Sequence, residues 1–154
     1  MGDQCPLCGR VAWTEEEMAV TAAGSKARQG ASPVGAYREW RWEWGGGNYV
    51  TDVDQVEWRS VDGELVPVAV FELTCVRGEK DLPPTYLQAV LRRFDRDFQG
   101  EAATRIAALF GCQAYIVVWR ENLEDFWVFN LSRRSGWRSM DRDGFRAWVT
   151  SKGQ

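Results

Sequence analysis

Two acidic residues, Asp54 and Glu72, stand near the ends of two strand-like runs of the sequence, residues 50–58 and 65–75. An Asp-Gly pair between the runs is typical of the tight turn of a β-hairpin. Such a hairpin can hold the two carboxylates side by side at one edge, where their oxygens can share a divalent cation. Little else in the chain offers chemistry, because it contains no histidine. That excludes histidine-dependent triads, histidine-bearing zinc hydrolases and haem sites.

Alternation along the first run assigns Asp52 and Asp54 to the same face of the predicted strand. The two residues are therefore rivals for one role, and Asp54 is favoured because it lies deeper in that strand. In the second run Glu72 and Thr74 share a face with three valines, whereas Cys75 points the opposite way. A pair of acids on a hairpin is more often a solvated face than a metal site. The pattern alone leaves both interpretations open.

The net charge of -3 argues against a surface that is basic throughout. Positive charge is concentrated near the C-terminus instead, where residues 133–152 contain six Lys or Arg and two Asp, a net of +4. An acidic centre and a separate basic segment are what a metal-dependent enzyme needs to act on a polyanion. The candidate phosphate contacts are the arginines of this segment, Arg133, Arg134, Arg138, Arg142 and Arg146.

Trp137 lies between these arginines, where its ring can stack on an unpaired base or anchor a turn, and both alternatives stay open. Several of the nine tryptophans fall on apolar stripes or in strands, which indicates core packing. Arg92, Arg93 and Arg96 are offset by two neighbouring aspartates. We therefore expect these three arginines to form a solvated helix face.

Cys5 and Cys8 are separated by two residues, which is the spacing of half a zinc knuckle. A closed zinc site needs two more ligands, and the candidates are Cys75 with Cys112, carboxylates, or a second chain. The alternative is that all four cysteines are plain thiols. No secretory signal is recognisable, and no apolar run reaches the ~18 residues that span a bilayer. We therefore expect a soluble, intracellular, cytoplasmic protein with no membrane partner.

At 154 residues and 17.6 kDa the chain is long enough for one domain with a substantial core. Residues 1–31 are expected to form an appendage that contains the CxxC pair, a short helix over about 15–23 and a flexible connector. The main domain, residues 32–154, is expected to contain a helix over 33–44, the hairpin, two helices separated by a break at Gly100, strands at 114–119 and 126–131, and a final helix at 141–151. This order predicts an α/β fold with helices on a central mixed sheet.

The order and spacing of these segments resemble the PD-(D/E)XK nuclease superfamily, and are most similar to its compact phage or prophage members. The resemblance covers residues 33–131 and rests on a helix with an acid, the hairpin with Asp54 and Glu72, a helix with Gln88 and a further strand. It implies a restriction-endonuclease-like core that hydrolyses DNA phosphodiester bonds with Mg²⁺ or Mn²⁺. A phage-encoded protein in a bacterial host and a homodimer that cuts two strands are further implications.

Carried over position by position, the resemblance implies that Asp54 and Glu72 bind the metal and that Glu39 supports it from the preceding helix. Gln88 would orient a ligand or contact the DNA backbone. These roles follow from the resemblance and not from the spacing of the residues alone.

One position departs from the family motif, because Thr74 stands where the superfamily has a lysine. That lysine helps to position the attacking water and to stabilise the charged transition state, whereas a hydroxyl supplies no positive charge. Lys80 or Arg77 would have to reach back and supply it. The alternative function is therefore a catalytically inert adaptor or inhibitor that uses the same scaffold to bind protein or nucleic acid.

Overall fold

The computed structural model describes residues 52–78 and 81–153, together with Trp40 and Glu43. Several predictions fall on other residues and lie outside the described part of the chain. They are the zinc half-site of Cys5 and Cys8, the helix at 15–23, most of the helix at 33–44, and the side chains of Glu39 and Lys80.

From Gln55 onward the described chain forms five strands and three helices. Their bounds are β1 Gln55–Val61, β2 Glu64–Val76, α1 Tyr86–Arg96, α2 Gln99–Leu109, β3 Gln113–Arg120, β4 Asp125–Asn130, β5 Ser135–Asp141 and α3 Arg142–Thr150. None of the helices in the described residues is long and apolar enough to cross a membrane.

The five strands form one sheet in the order β1-β2-β3-β4-β5. β2 and β3 are parallel, because α1 and α2 carry the chain back along the sheet between them. All other neighbouring strands are antiparallel. The protein is therefore an α/β fold with a mixed sheet flanked by helices, as the order of the predicted elements indicates.

The two faces of the sheet carry separate apolar cores. Val70 and Ile116 point to the face on which α1 and α2 pack, which we call the α1/α2 face. Phe71 and Val117 point to the opposite face, which α3 covers with Phe145, Trp148 and Val149, and which we call the α3 face. The core is divided in two because successive side chains of a strand point to opposite faces of the sheet. The same alternation determines the face on which each polar residue of β2 lies.

The turn between β1 and β2 consists of Asp62 and Gly63, whose φ angles are 51° and 85°. A two-residue hairpin loop of type I′ needs two such left-handed residues, and an Asp-Gly pair adopts this conformation readily. The predicted hairpin is confirmed. The final helix is confirmed as well: Asp141 caps α3 by accepting a hydrogen bond of 2.7 Å from the Gly144 amide.

The expected helix break at Gly100 is wrong. α2 already begins at Gln99, and the chain reverses at Phe98, which has a left-handed φ of 59°. Gly100 is instead buried inside α2, where a Cβ atom would lie 3.3 Å from Leu131 Cδ2. A side chain here would crowd Leu131, so the glycine favours close packing of the helix and does not mark its end.

β5 is an element that the sequence does not predict. Its residues are mostly exposed, and only Trp137 and Met140 are half-buried. These two lie three residues apart, so the strand lacks the period of two that marks a half-buried strand. The pairing of β5 with β4 also shifts register between Val128 and Asn130.

Candidate functional site

Asp54 and Glu72 occupy neighbouring positions at one end of the β1–β2 ladder. Gln55 and Phe71 are Cα partners in the antiparallel pair, and the two acids come one residue beyond each of them. Asp54 Oδ2 accepts a hydrogen bond of 2.8 Å from the Leu73 amide, the peptide link that follows Glu72. The structure thus brings the two acids together. Asp54 directly precedes β1 and does not lie within it as expected, but it is nearer to the strand than its rival Asp52.

Glu72 is buried, with 1 % of its surface exposed, and so is Thr74 two residues further along β2. Side chains along a strand alternate between the two faces of the sheet, and Phe71 points to the α3 face. Glu72 and Thr74 therefore both point to the α1/α2 face. A carboxylate is almost never buried in this way unless a cation, a metal or several hydrogen bonds compensate for the lost water. Glu72 is therefore part of an electrostatic arrangement and not a solvated surface acid.

Arg93 of α1 supplies a positive charge at this point. Its Nη2 atom donates a hydrogen bond of 3.0 Å to Thr74 Oγ1, and the residue is 9 % exposed. This overturns the expectation that Arg92, Arg93 and Arg96 all form a solvated helix face. Arg92 is exposed, but Arg93 is buried and the Arg96 side chain is only 16 % exposed. We call Asp54, Glu72, Thr74 and Arg93 the acidic centre.

Burial lowers the pKa of Arg93, and electrostatic interactions with Asp97, Tyr86, Asp54 and Glu72 oppose that effect. The guanidinium nevertheless stays protonated, because arginine does not lose its proton in proteins. Both carboxylates of the centre therefore lie within the electrostatic reach of one permanent cation.

Two buried side-chain donors of α1, on Tyr86 and Arg93, lie close enough at the acidic centre to affect each other's pKa. Arg93 Nε and the Tyr86 hydroxyl have no hydrogen-bond partner among the described residues. Burial raises the pKa of Tyr86, so its phenol stays neutral and can donate. Buried donors in native proteins nearly always have an acceptor, and a phosphate oxygen or a water molecule would serve both. Tyr86 and Arg93 lie seven residues apart, two turns along one stripe of α1.

The acidic centre fits part of a Mg²⁺ or Mn²⁺ site. Asp54 and Glu72 provide carboxylate oxygens, the ligands that these hard cations prefer. Within the described residues no group of three or more Asp, Glu, Cys or His side chains is arranged to hold a metal. The third predicted acid, Glu39, lies outside that part of the chain, and Asp52 is half-buried two residues before Asp54.

Gln88 does not point toward the acidic centre. It is exposed on α1, and its separation of five residues from Arg93 corresponds to about 140° around the helix. Arg77 is exposed just beyond the end of β2. Among the described residues, the cation that contacts Thr74 is Arg93, which the sequence analysis placed in solvent. One signal in the sequence indicates that Arg93 is buried. It lies on the same helical stripe as four residues that are buried in the structure, Tyr86, Ala89, Val90 and Phe94.

The predicted phosphate contacts do not form one surface. Arg134 makes a bidentate ion pair with Asp95, with N–O distances of 2.8 and 2.9 Å. Arg142 donates to Glu124 Oε1 at 2.8 Å and also to two backbone carbonyls. Arg146 is exposed on α3. The other two, Arg133 and Arg138, line a cavity at the end of the sheet where β2 and β3 begin.

Trp137 packs against the core in β5. Its ring centroid lies 5.3 Å from that of Phe129, and its indole nitrogen is buried with no partner among the described residues. This geometry fits the alternative in which the aromatic side chain anchors the chain.

Cys75 and Cys112 are free thiols at opposite ends of the β2–β3 pair. Cys75 pairs with Trp119, and Cys112 comes just before Gln113, the first residue of β3. The rise of a strand separates the two by roughly 20 Å, so they cannot close one four-cysteine zinc site. Burial raises the pKa of both thiols.

No family model, curated protein or solved structure matches this chain. Function therefore has to be argued from the chemistry of the site, because an α/β fold supports many unrelated activities.

Proposed function

We propose that the chain is a metal-dependent nuclease that hydrolyses DNA phosphodiester bonds at the acidic centre. Asp54 and Glu72 would hold Mg²⁺ or Mn²⁺, with Glu39 in support. The observation that carries the proposal is the burial of Glu72 beside Asp54, within reach of the Arg93 guanidinium. The order and spacing of the predicted elements resemble those of the PD-(D/E)XK superfamily. That resemblance supports the interpretation of the acidic centre as a phosphodiesterase site.

The side chains of the centre have complementary tasks in such a reaction. Arg93 provides the positive charge that Thr74 lacks, and a buried cation stabilises charge that develops on phosphate oxygens more strongly than it would in water. Thr74 accepts a hydrogen bond from Arg93 and so holds the guanidinium in place. A bound divalent metal would supply Lewis-acid activation and a more acidic water.

The second candidate is an inert adaptor or inhibitor, and Arg93 also favours it. A fixed guanidinium compensates buried carboxylates much as a metal does, so Asp54 and Glu72 can be stable with no cation bound. In that case the acidic centre would be a structural charge cluster. The exposed surface of the fold would then carry the binding function.

Cleavage assays separate the two candidates. We expect supercoiled or branched DNA to be cut with Mg²⁺ or Mn²⁺ and not with EDTA. Asp54→Asn and Glu72→Gln should each slow cleavage by at least roughly 100-fold, because each removes a charge at the reacting centre. The matched control is Asp62→Asn, since Asp62 is exposed in the hairpin turn and asparagine suits its left-handed conformation.

Failure to cut any DNA substrate with either metal would reject the nuclease, and so would full activity of Asp54→Asn. Calorimetry then tests the adaptor. An adaptor would bind no divalent metal at the acidic centre, and Asp54→Asn would bind its partner as tightly as the parent chain.

A further inference from the structure

A cavity of about 740 Å³ opens at the end of the sheet where β2 and β3 begin. Three cationic side chains contribute to its wall, and no described residue that lines it is acidic. We call it the basic cavity. The residues that matter for its chemistry are Arg133, Arg138, Lys152, Gln113, Tyr115 and Trp148.

The basic cavity is separate from the acidic centre. Tyr115 and Trp148 belong to the core of the α3 face, whereas Glu72 points to the α1/α2 face on the other side of the sheet. Along the strands, Gln113 is aligned with Ala69, three residues or about 10 Å before Glu72. A ligand in this cavity therefore cannot reach the acidic centre through the sheet.

The positive charges of the cavity are not neutralised by carboxylates. Arg134 is in the same turn as Arg133 but pairs with Asp95, and Arg142 pairs with Glu124. Arg133, Arg138 and Lys152 make no ion pair within the part of the chain that the structure describes. The chain has 22 acidic residues against 19 basic ones, so a cavity wall with three cations and no acid is a local concentration of charge.

Neutral groups in the wall hold two of the cations in position. The guanidinium of Arg133 donates through Nε and Nη2 to the Gln113 side-chain oxygen, both at 2.9 Å, in the amide orientation that satisfies these donors. Lys152 Nζ donates to the Tyr115 hydroxyl at 3.1 Å and lies 4.2 Å from the centre of the Trp148 ring. These contacts orient the cations without cancelling their charge, which lowers the entropic cost of binding an anion.

We propose that the basic cavity binds the phosphate of a phosphorylated small molecule of about nucleotide size. Arginine and lysine together are suited to phosphate, because the planar guanidinium binds two oxygens at once and the ammonium adds a point charge. A volume of about 740 Å³ is in the range of small-molecule sites and exceeds what phosphate alone would fill. This inference does not depend on the proposed nuclease activity.

Calorimetry on the full chain tests the inference with three probes: adenosine 5′-monophosphate, inorganic phosphate and a single-stranded oligonucleotide. We expect saturable binding of the mononucleotide, tighter than that of inorganic phosphate. Arg133→Gln, Arg138→Gln and Lys152→Gln should each weaken it about tenfold, the effect of losing one charge-assisted hydrogen bond.

Two controls locate the effect. Arg134→Gln removes a positive charge from the same turn but outside the cavity wall, and Asp54→Asn alters the acidic centre alone. Both should bind the mononucleotide like the parent chain, and thermal melting checks that every variant is folded. Because Asp54→Asn tests the nuclease, either proposal can fail without the other.

Three results would overturn the inference. One is no saturable binding of the mononucleotide. Another is an equal loss in Arg134→Gln and Arg133→Gln, which would indicate a diffuse basic surface. The third is a preference for inorganic phosphate, or for the oligonucleotide, over the mononucleotide.

Discussion

The buried arginine at position 93 dominates the electrostatics of the acidic centre. The charge pattern predicts that it lies in solvent, because Asp95 and Asp97 follow closely in the sequence and offset the charges of Arg92, Arg93 and Arg96. The structure shows that Asp95 pairs with Arg134 across the surface instead. Arg93 faces Thr74, a contact between residues nineteen positions apart. The local pattern of charges could not reveal it.

Replacement of Arg93 should therefore cost stability as well as any activity. In Arg93→Met we expect the free energy of unfolding to fall by about 2 kcal/mol, because a buried hydrogen bond from a charged donor is lost and the acids lose their cation. Urea denaturation followed by circular dichroism measures this change.

The matched control is Arg105→Met, which removes an exposed arginine of α2 that pairs with Glu101. An exposed pair of this kind is worth about 0.5 kcal/mol or less. If Arg93→Met were as stable as Arg105→Met, the Arg93 side chain would not compensate the buried acids.

At the scale of elements, local signals predicted most of the fold. The Asp-Gly turn, the apolar runs of β2 and β3, and the stripe of Phe145, Trp148 and Val149 all mark elements that the structure contains. Two features were missed. β5 is a polar strand with irregular pairing, and the reversal before α2 occurs at Phe98, a residue type that rarely adopts a positive φ.

The cap of α3 gives a test at this scale. Asp141→Ala should lower the free energy of unfolding by about 1 kcal/mol, because the Gly144 amide loses its side-chain acceptor. Thermal or urea unfolding measures the change. Asp143→Ala is the control, since Asp143 is an acid of the same first turn that does not cap the helix. Equal effects of the two substitutions would show that charge near the helix end matters, and not the hydrogen bond.

At the scale of the whole molecule, the sheet separates two sites of opposite charge. The acidic centre lies on the α1/α2 face and the basic cavity on the α3 face. The Asp-Gly turn predicts the hairpin, but the register that it sets would place Asp54 opposite Phe71 and so on the other face from Glu72. A β-bulge between Glu57 and Trp58 shifts the register by one residue and brings Asp54 opposite Glu72, and the sequence does not predict that bulge. The division of the C-terminal arginines could not be predicted, since it depends on β5 and on partners such as Asp95 and Glu124 from distant segments.

A crystal soaked in Mn²⁺ tests the acidic centre most directly. We expect an anomalous signal between the carboxylates of Asp54 and Glu72, and no signal there in crystals of Asp54→Asn. The proposal would be contradicted by a well-ordered acidic centre that contains no manganese and in which the Arg93 guanidinium binds directly to both carboxylates. In that case the charge of the acids would be balanced by the protein alone, and a metal-dependent reaction at this site would be ruled out.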